Sequence, residues 1–388
     1  MIAYSKTWLD NLHIQEQAQE ALAYQCISEP ERAAINERYP VGFYMPHFFM
    51  RVGLFILTAV IASMAQGLFF LIVYSGGSIS GPAGLFFFFG ALSYGVLELL
   101  VRENRHYRSG VDDALLWTVI ICFAAGLSCI NHVPMVIYTV AFFLLSGYLA
   151  LRFADALVSA LAALCGLGVV FFAYMELGSI ARLTMPFAMM AAAAVLYVGV
   201  LRLAQAAEGR YYRLCLTVVK VVALLSFYAA GNYFVVREVG NSMFELNLKE
   251  GESIPFGWLF WAFTVGIPML YMYRGVQKKD AVFLRVGLLL LAIMVITIRY
   301  YYHQMSIENV LLIGGVVMVA IAYFLIRYLA QPRNGFTYKE GYDPSPINKL
   351  QVEALVINQT FGTPQAPEAS GTRFGGGSGG GAGAGGSY

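Results

Sequence analysis

Residues 297–310, TIRYYYHQMSIENV, place Arg299, three consecutive tyrosines, His303 and Glu308 between two long apolar runs. Arg299 and His303 are one helical turn apart and share a helix face. Histidine changes charge near neutral pH, and Glu308 could hold it protonated or accept its proton, so the chemistry available is protonation-linked charge pairing. The plainer reading is an interfacial girdle, with Tyr300, Tyr301 and Tyr302 anchoring a helix at the membrane surface. Asn131, His132, Asn232 and Arg237 fall toward the same side of the chain. Together with Arg299, His303 and Glu308 they would form a polar vestibule if their helices converge, which spacing alone leaves open.

Ionisable residues inside apolar runs are costly in hydrocarbon and are candidates for function. Glu98 precedes Arg102 by four residues, the favourable order for a pair on one helix face. Lys220 sits about two turns inside an apolar run, where its stem could snorkel to the surface or its ammonium could pair within the bundle. Glu176 and Arg182 bracket a connection, where an exposed pair would contribute little. The sequence contains no H-E-x-x-H, G-x-S-x-G or P-loop pattern and no paired aspartates in the runs, so neither catalytic residues nor a cofactor is expected. The five cysteines, Cys26, Cys122, Cys129, Cys165 and Cys215, form no CxxC or zinc-like spacing, so no metal is expected, and they read as small buried hydrophobes.

The elements that must position these residues follow from composition. Hydrophobic residues make up 59% of the chain and charged residues 12%, against roughly a quarter charged in soluble domains, and the mean hydropathy is +0.65. The chain therefore reads as an all-α polytopic membrane bundle whose first partner is the lipid bilayer. A net charge of +2, with the basic residues in short clusters, excludes a nucleic-acid role.

Ten segments approach the 20 or so apolar residues that cross a bilayer: 52–74, 83–101, 114–130, 133–151, 157–176, 183–201, 214–236, 255–273, 283–302 and 308–329. Arg102, Arg105, Arg108, Arg152, Arg202, Arg210, Arg213, Arg274, Lys278, Lys279 and Arg285 fall in or beside alternate connections. The opposite connections hold only Arg182, Arg237 and Lys249. By the positive-inside rule the first set faces the cytoplasm, with both termini. Pro186, Pro268, Gly314 and Gly315 lie within spans, where such residues either kink a helix or break it at a transporter's binding site.

Residues 1–50 read as a cytoplasmic helical head. Trp8, Leu9, Leu12, Ile14, Ala18, Ala21, Leu22 and Tyr24 supply an apolar stripe, and SEPE at 28–31 has the form of a capping box. This stripe would serve equally for docking a protein partner or the membrane surface and for packing as a lid on the chain's own face. Residues 51–330 form the membrane domain. The tail, 331–388, is Pro-rich and then Gly-rich from 374, a composition expected to be disordered.

The head followed by YPVGFYMPHFFMRVGLFILTAVIA at 39–62, the RYYYH at 299–303 and the terminal FGGGSGGGAGAGGSY together resemble an uncharacterised family of bacterial predicted membrane proteins represented among Bacteroidetes. The resemblance implies a multi-pass protein of the bacterial inner membrane and implies no mechanism or substrate. From the residues themselves, the favoured reading is a transporter or channel-like protein. The alternative is a membrane scaffold or complex-assembly partner, and an intramembrane enzyme is the least supported class.

Overall fold

The computed structural model describes residues 2–75, 82–130, 133–244 and 253–301, with isolated helical positions between 312 and 327. His132, His303 and Glu308, most of the tenth apolar segment and the tail lie outside the described residues. Twelve α-helices account for most of what is described, and the one β-type contact among these residues is an isolated bridge, Tyr44 to His106. The chain is an all-α polytopic membrane bundle. Eight of the described helical segments are long and apolar enough to cross a bilayer.

The head contains α1 (Lys6–Ala23) and α2 (Glu29–Arg38). At the start of α2 the Ser28 amide and hydroxyl both donate to the Glu31 carboxylate, at 2.7 and 2.8 Å, and these bonds hold the Glu31 carboxyl below its ordinary range. The membrane part follows as α3 (Phe48–Ser75), α4 (Ala83–Glu103), α5 (Val111–Ser128), α6 (Met135–Phe153), α7 (Ala156–Met175), α8 (Ser179–Gln205), α9 (Arg213–Gly231), α10 (Tyr233–Phe244), α11 (Gly257–Lys278) and α12 (Ala281–Tyr301). A 3₁₀ segment, Ala207–Tyr212, leads into α9. Helix α11, which carries Trp258, Trp261, Tyr271 and Tyr273, is not among those eight, yet it packs on both α9 and α12.

Four antiparallel pairs, α4–α5, α6–α7, α8–α9 and α11–α12, build the bundle, and α7 against α9 joins its parts. One core gathers Leu97 and Val101 of α4, Leu115 and Val119 of α5, Leu149 and Phe153 of α6 and Val158 of α7. A second gathers Leu224 and Tyr228 of α9, Ile267 and Tyr271 of α11 and Leu290 of α12. Helix α3 is the outlier. It leans mainly on α5, with Phe69 and Phe70 meeting the Phe86, Phe88 and Phe89 rings of α4, and Ile56, Leu57, Ile61, Met64, Leu68 and Leu71 are exposed along it, an arrangement that lipid stabilises and water would not.

The α3–α5 crossing requires a glycine. Gly110 has φ +90°, and a Cβ there would lie 2.1 Å from the Arg51 carbonyl oxygen. Arg51 then donates to Asp113 through Nε (3.0 Å) and Nη2 (2.6 Å), tying the start of α3 to the start of α5.

The head folds back on this same end of the bundle. The Ala3 amide donates to the Arg152 carbonyl (2.8 Å), Tyr4 enters the first core, and the Tyr44 amide donates to the Arg105 carbonyl (3.1 Å). Trp8 packs edge-on to Phe43 at 5.3 Å and lies under the Arg105 guanidinium. Lys6 pairs with Glu208 at 2.7 Å and Asp10 with Arg210 at 3.1 Å. Part of the apolar stripe of α1, Trp8 and Leu9, is thus taken up by the chain itself.

Candidate functional site

The buried charges singled out from sequence all meet partners. Glu98 accepts from Arg102 at 2.9 Å and also from Arg152 of α6, whose Nε lies 3.3 Å away. Tyr94 donates to Glu98 (3.5 Å) and shares a hydrogen bond with Tyr148 (2.7 Å), so this group clamps α4 to α6. Lys220 forms an ion pair with Asp280, in the turn between α11 and α12, while its ammonium lies 5.2 Å from the centre of the Phe283 ring. Of the vestibule residues, Arg237 stands on α10 with its guanidinium 5.3 Å from the Tyr301 ring centre, and Arg299 lies in the last turn of α12. Whether His132, His303 and Glu308 join them falls outside the described residues.

Sequence periodicity runs one helix through 214–236, whereas the structure breaks it. At Asn232 the backbone turns to φ −76°, ψ 127°, ending α9, and α10 begins at the next residue. A break inside an apolar bundle frees backbone groups that lipid cannot satisfy. Here two side chains take up the freed amides. The Asn232 Oδ1 accepts from the amides of Phe234 (3.0 Å) and Val235 (3.3 Å), and the Thr264 hydroxyl of α11 accepts from the Tyr233 amide at 3.0 Å. The Asn232 Nδ2 donates to the Tyr228 hydroxyl at 3.0 Å and to the Thr297 hydroxyl of α12 at 3.3 Å. All four side chains are buried, Asn232 to 1% and Thr264 to 0% exposure.

Beyond the break an aromatic belt closes around α10. Tyr233 stacks on Trp261 at 4.9 Å and meets Tyr301 edge-on at 5.1 Å, and Phe234 packs edge-on to Tyr300. Two of the opening tyrosines, Tyr300 and Tyr301, thus pack against α10.

Next to the joint lies a cavity of about 330 Å³ bounded by α7, α8, α9, α10 and the start of α11. Its walls include Leu167 and Phe171 of α7, Pro186 of α8, Ala230 of α9 and Val236 and Val239 of α10; Ser226 is the one polar side chain among the described lining residues. Pro186 and Pro268 leave α8 and α11 continuous, so the discontinuity comes from asparagine. Space of this size and character suits an apolar ligand, since water finds too few partners there.

No family model, no curated protein and no solved structure matches the chain. The functional reading therefore rests on the geometry of the joint and its cavity.

Proposed function

We propose that the protein belongs to the transporter class and moves a hydrophobic or amphiphilic molecule through the cavity bounded by α7 to α10, with the α9–α10 joint as its moving part. The observation that carries this is the juxtaposition of a helix break whose amides are capped by side chains with an apolar cavity. Discontinuous helices beside a binding site are a recurrent transporter device, and an apolar lining favours a lipid-like solute over an inorganic ion. A scaffold role gains less support, because part of the head's apolar stripe packs on its own chain.

We further propose a bacterial inner-membrane location with the head and both termini cytoplasmic. The basic clusters and the resemblance noted above support this orientation.

The test is the rate at which a fluorescent phospholipid analogue exchanges between leaflets of reconstituted vesicles. The wild-type chain should accelerate exchange over empty vesicles, and Ala230→Trp, which fills the cavity, should abolish the acceleration. A photoactivatable fatty acid should label α7 and α10 in wild type and lose that labelling in Ala230→Trp. Labelling confined to lipid-exposed faces such as α3, with no protection by the tryptophan, would overturn the reading.

A further inference from the structure

A second cavity, about 220 Å³, lies at the other end of the bundle beneath the head, and its chemistry is the opposite of the first. Its walls carry Asp112, Asp113 and Asp155 against Arg51 and Arg108. Arg51 is engaged by Asp113 (2.6 Å), and the Arg108 guanidinium sits 5.4 Å from the Tyr107 ring centre. Asp112 and Asp155 each spend one oxygen on local backbone capping. Asp112 Oδ1 accepts from the amide and hydroxyl of Ser109 at 2.8 and 3.0 Å, and Asp155 Oδ1 accepts from the Val158 amide at 2.8 Å. Each keeps a second oxygen for another donor.

Tyr4 supplies an independent sign of a ligand. The residue is 8% exposed and lines this cavity, yet its hydroxyl makes no hydrogen bond within the described residues. Because Tyr4 lines the cavity, its hydroxyl is left for a group placed there. Burial, and then the Asp112 carboxylate, raise the Tyr4 phenol well above its ordinary range, so it stays protonated and neutral. The Tyr4 and Tyr107 rings meet edge-on at 4.8 Å, offering aromatic surface beside the carboxylates, and Leu97, Leu116 and Phe153 make the remaining wall apolar.

We propose that this cavity binds a primary ammonium group carried on a short alkyl arm. The ammonium donates to the free oxygens of Asp112 and Asp155 and to the Tyr4 oxygen, and the arm lies against the apolar wall. A bare metal ion fits poorly, because among the described residues no three carboxylate, histidine or cysteine groups come together to hold one. The five charged side chains sum to one net negative charge, two arginines against three aspartates, which a monovalent cation neutralises.

The experiment titrates n-butylammonium into the full-length protein in detergent by calorimetry, with n-butanol and butyrate as matched probes lacking the positive charge. Saturable binding of butylammonium alone is expected. Asp112→Asn and Asp155→Asn keep an oxygen for the caps but remove the charge, and each should weaken binding about tenfold or more. Tyr4→Phe, which removes only the hydroxyl, should weaken it severalfold while leaving thermal unfolding without amine unchanged. Titration with vesicles of phosphatidylethanolamine against phosphatidylcholine separates the two sources of such a group. Competition between ethanolamine lipid and butylammonium would identify a lipid headgroup, and its absence a free amine. Equal binding of butanol or butyrate, no saturable binding of butylammonium to wild type, or unchanged affinity in all three variants would overturn the proposal.

Discussion

Asp280 lies in the turn after α11, where burial alone would raise its pKa, but the Lys220 ammonium and the Val282 and Phe283 amides outweigh that and hold the carboxyl below its ordinary value. A folded-state pKa below the unfolded value of about 3.9 contributes stability that is fully present above that value and is lost as pH falls through the folded pKa. Asp280→Asn should therefore cost about 1 kcal/mol at pH 7, a figure kept small because the pair is partly solvated. The gap between wild type and variant in detergent thermal unfolding should be constant from about pH 6 to 8 and close below about pH 4. A gap unchanged down to pH 3 would show that Asp280 acts through packing and not through charge. Residue-level legibility follows the same line. The Glu98–Arg102 pair could be read from i,i+4 spacing, whereas Arg152 and Asp280 lie 54 and 60 residues from Glu98 and Lys220, and such partners appear only once helix neighbours are known. Nothing in the spacing around Tyr4 marks it as a cavity residue.

Long apolar runs give helices reliably, because lipid leaves the backbone few alternatives to bonding within its own segment. The first nine runs appear as α3 to α12, the seventh divided between α9 and α10, with ends displaced by several residues where capping and turns decide the boundary. The break at Asn232 was hidden because Phe234, Val235 and Val236 continue the apolar pattern, and the available signal was the Gly231–Asn232 pair. Proline does not mark the break: α8 and α11 run on through Pro186 and Pro268. The joint itself is testable. Asn232→Ala removes the cap on α10 and strips the Tyr228 and Thr297 hydroxyls of a partner, so it should destabilise the fold by about 2 kcal/mol. It should also speed hydrogen exchange at the Phe234 and Val235 amides, whose acceptor is the Asn232 side chain. Unchanged stability together with unchanged exchange would mean that the break is held by the aromatic belt and not by asparagine.

Across the molecule the two ends of the bundle differ in charge and in cover. The Arg51–Asp113, Lys6–Glu208 and Lys220–Asp280 pairs place the starts of α3, α5, α9 and α12 at the end that carries the head. Most of the basic connections gather there, and the other end carries Arg237, Arg299 and the tyrosine belt. The positive-inside rule counts such short connections, and the proposed orientation, with the head end toward the cytoplasm, rests on it. Single cysteines introduced into a cysteine-free background test this with a membrane-impermeant maleimide applied to intact cells and to opened membranes. Ser109 is fully buried and would report nothing, so Gln277, exposed at the head end, and Leu177, exposed at the far end, are the informative positions. Leu177→Cys should label in intact cells and Gln277→Cys only after the membrane is opened. The reverse pattern would invert the bundle, exposing the proposed ammonium cavity to the outside and moving the apolar cavity to the inner leaflet. That result would still leave each binding proposal to be judged by its own variants.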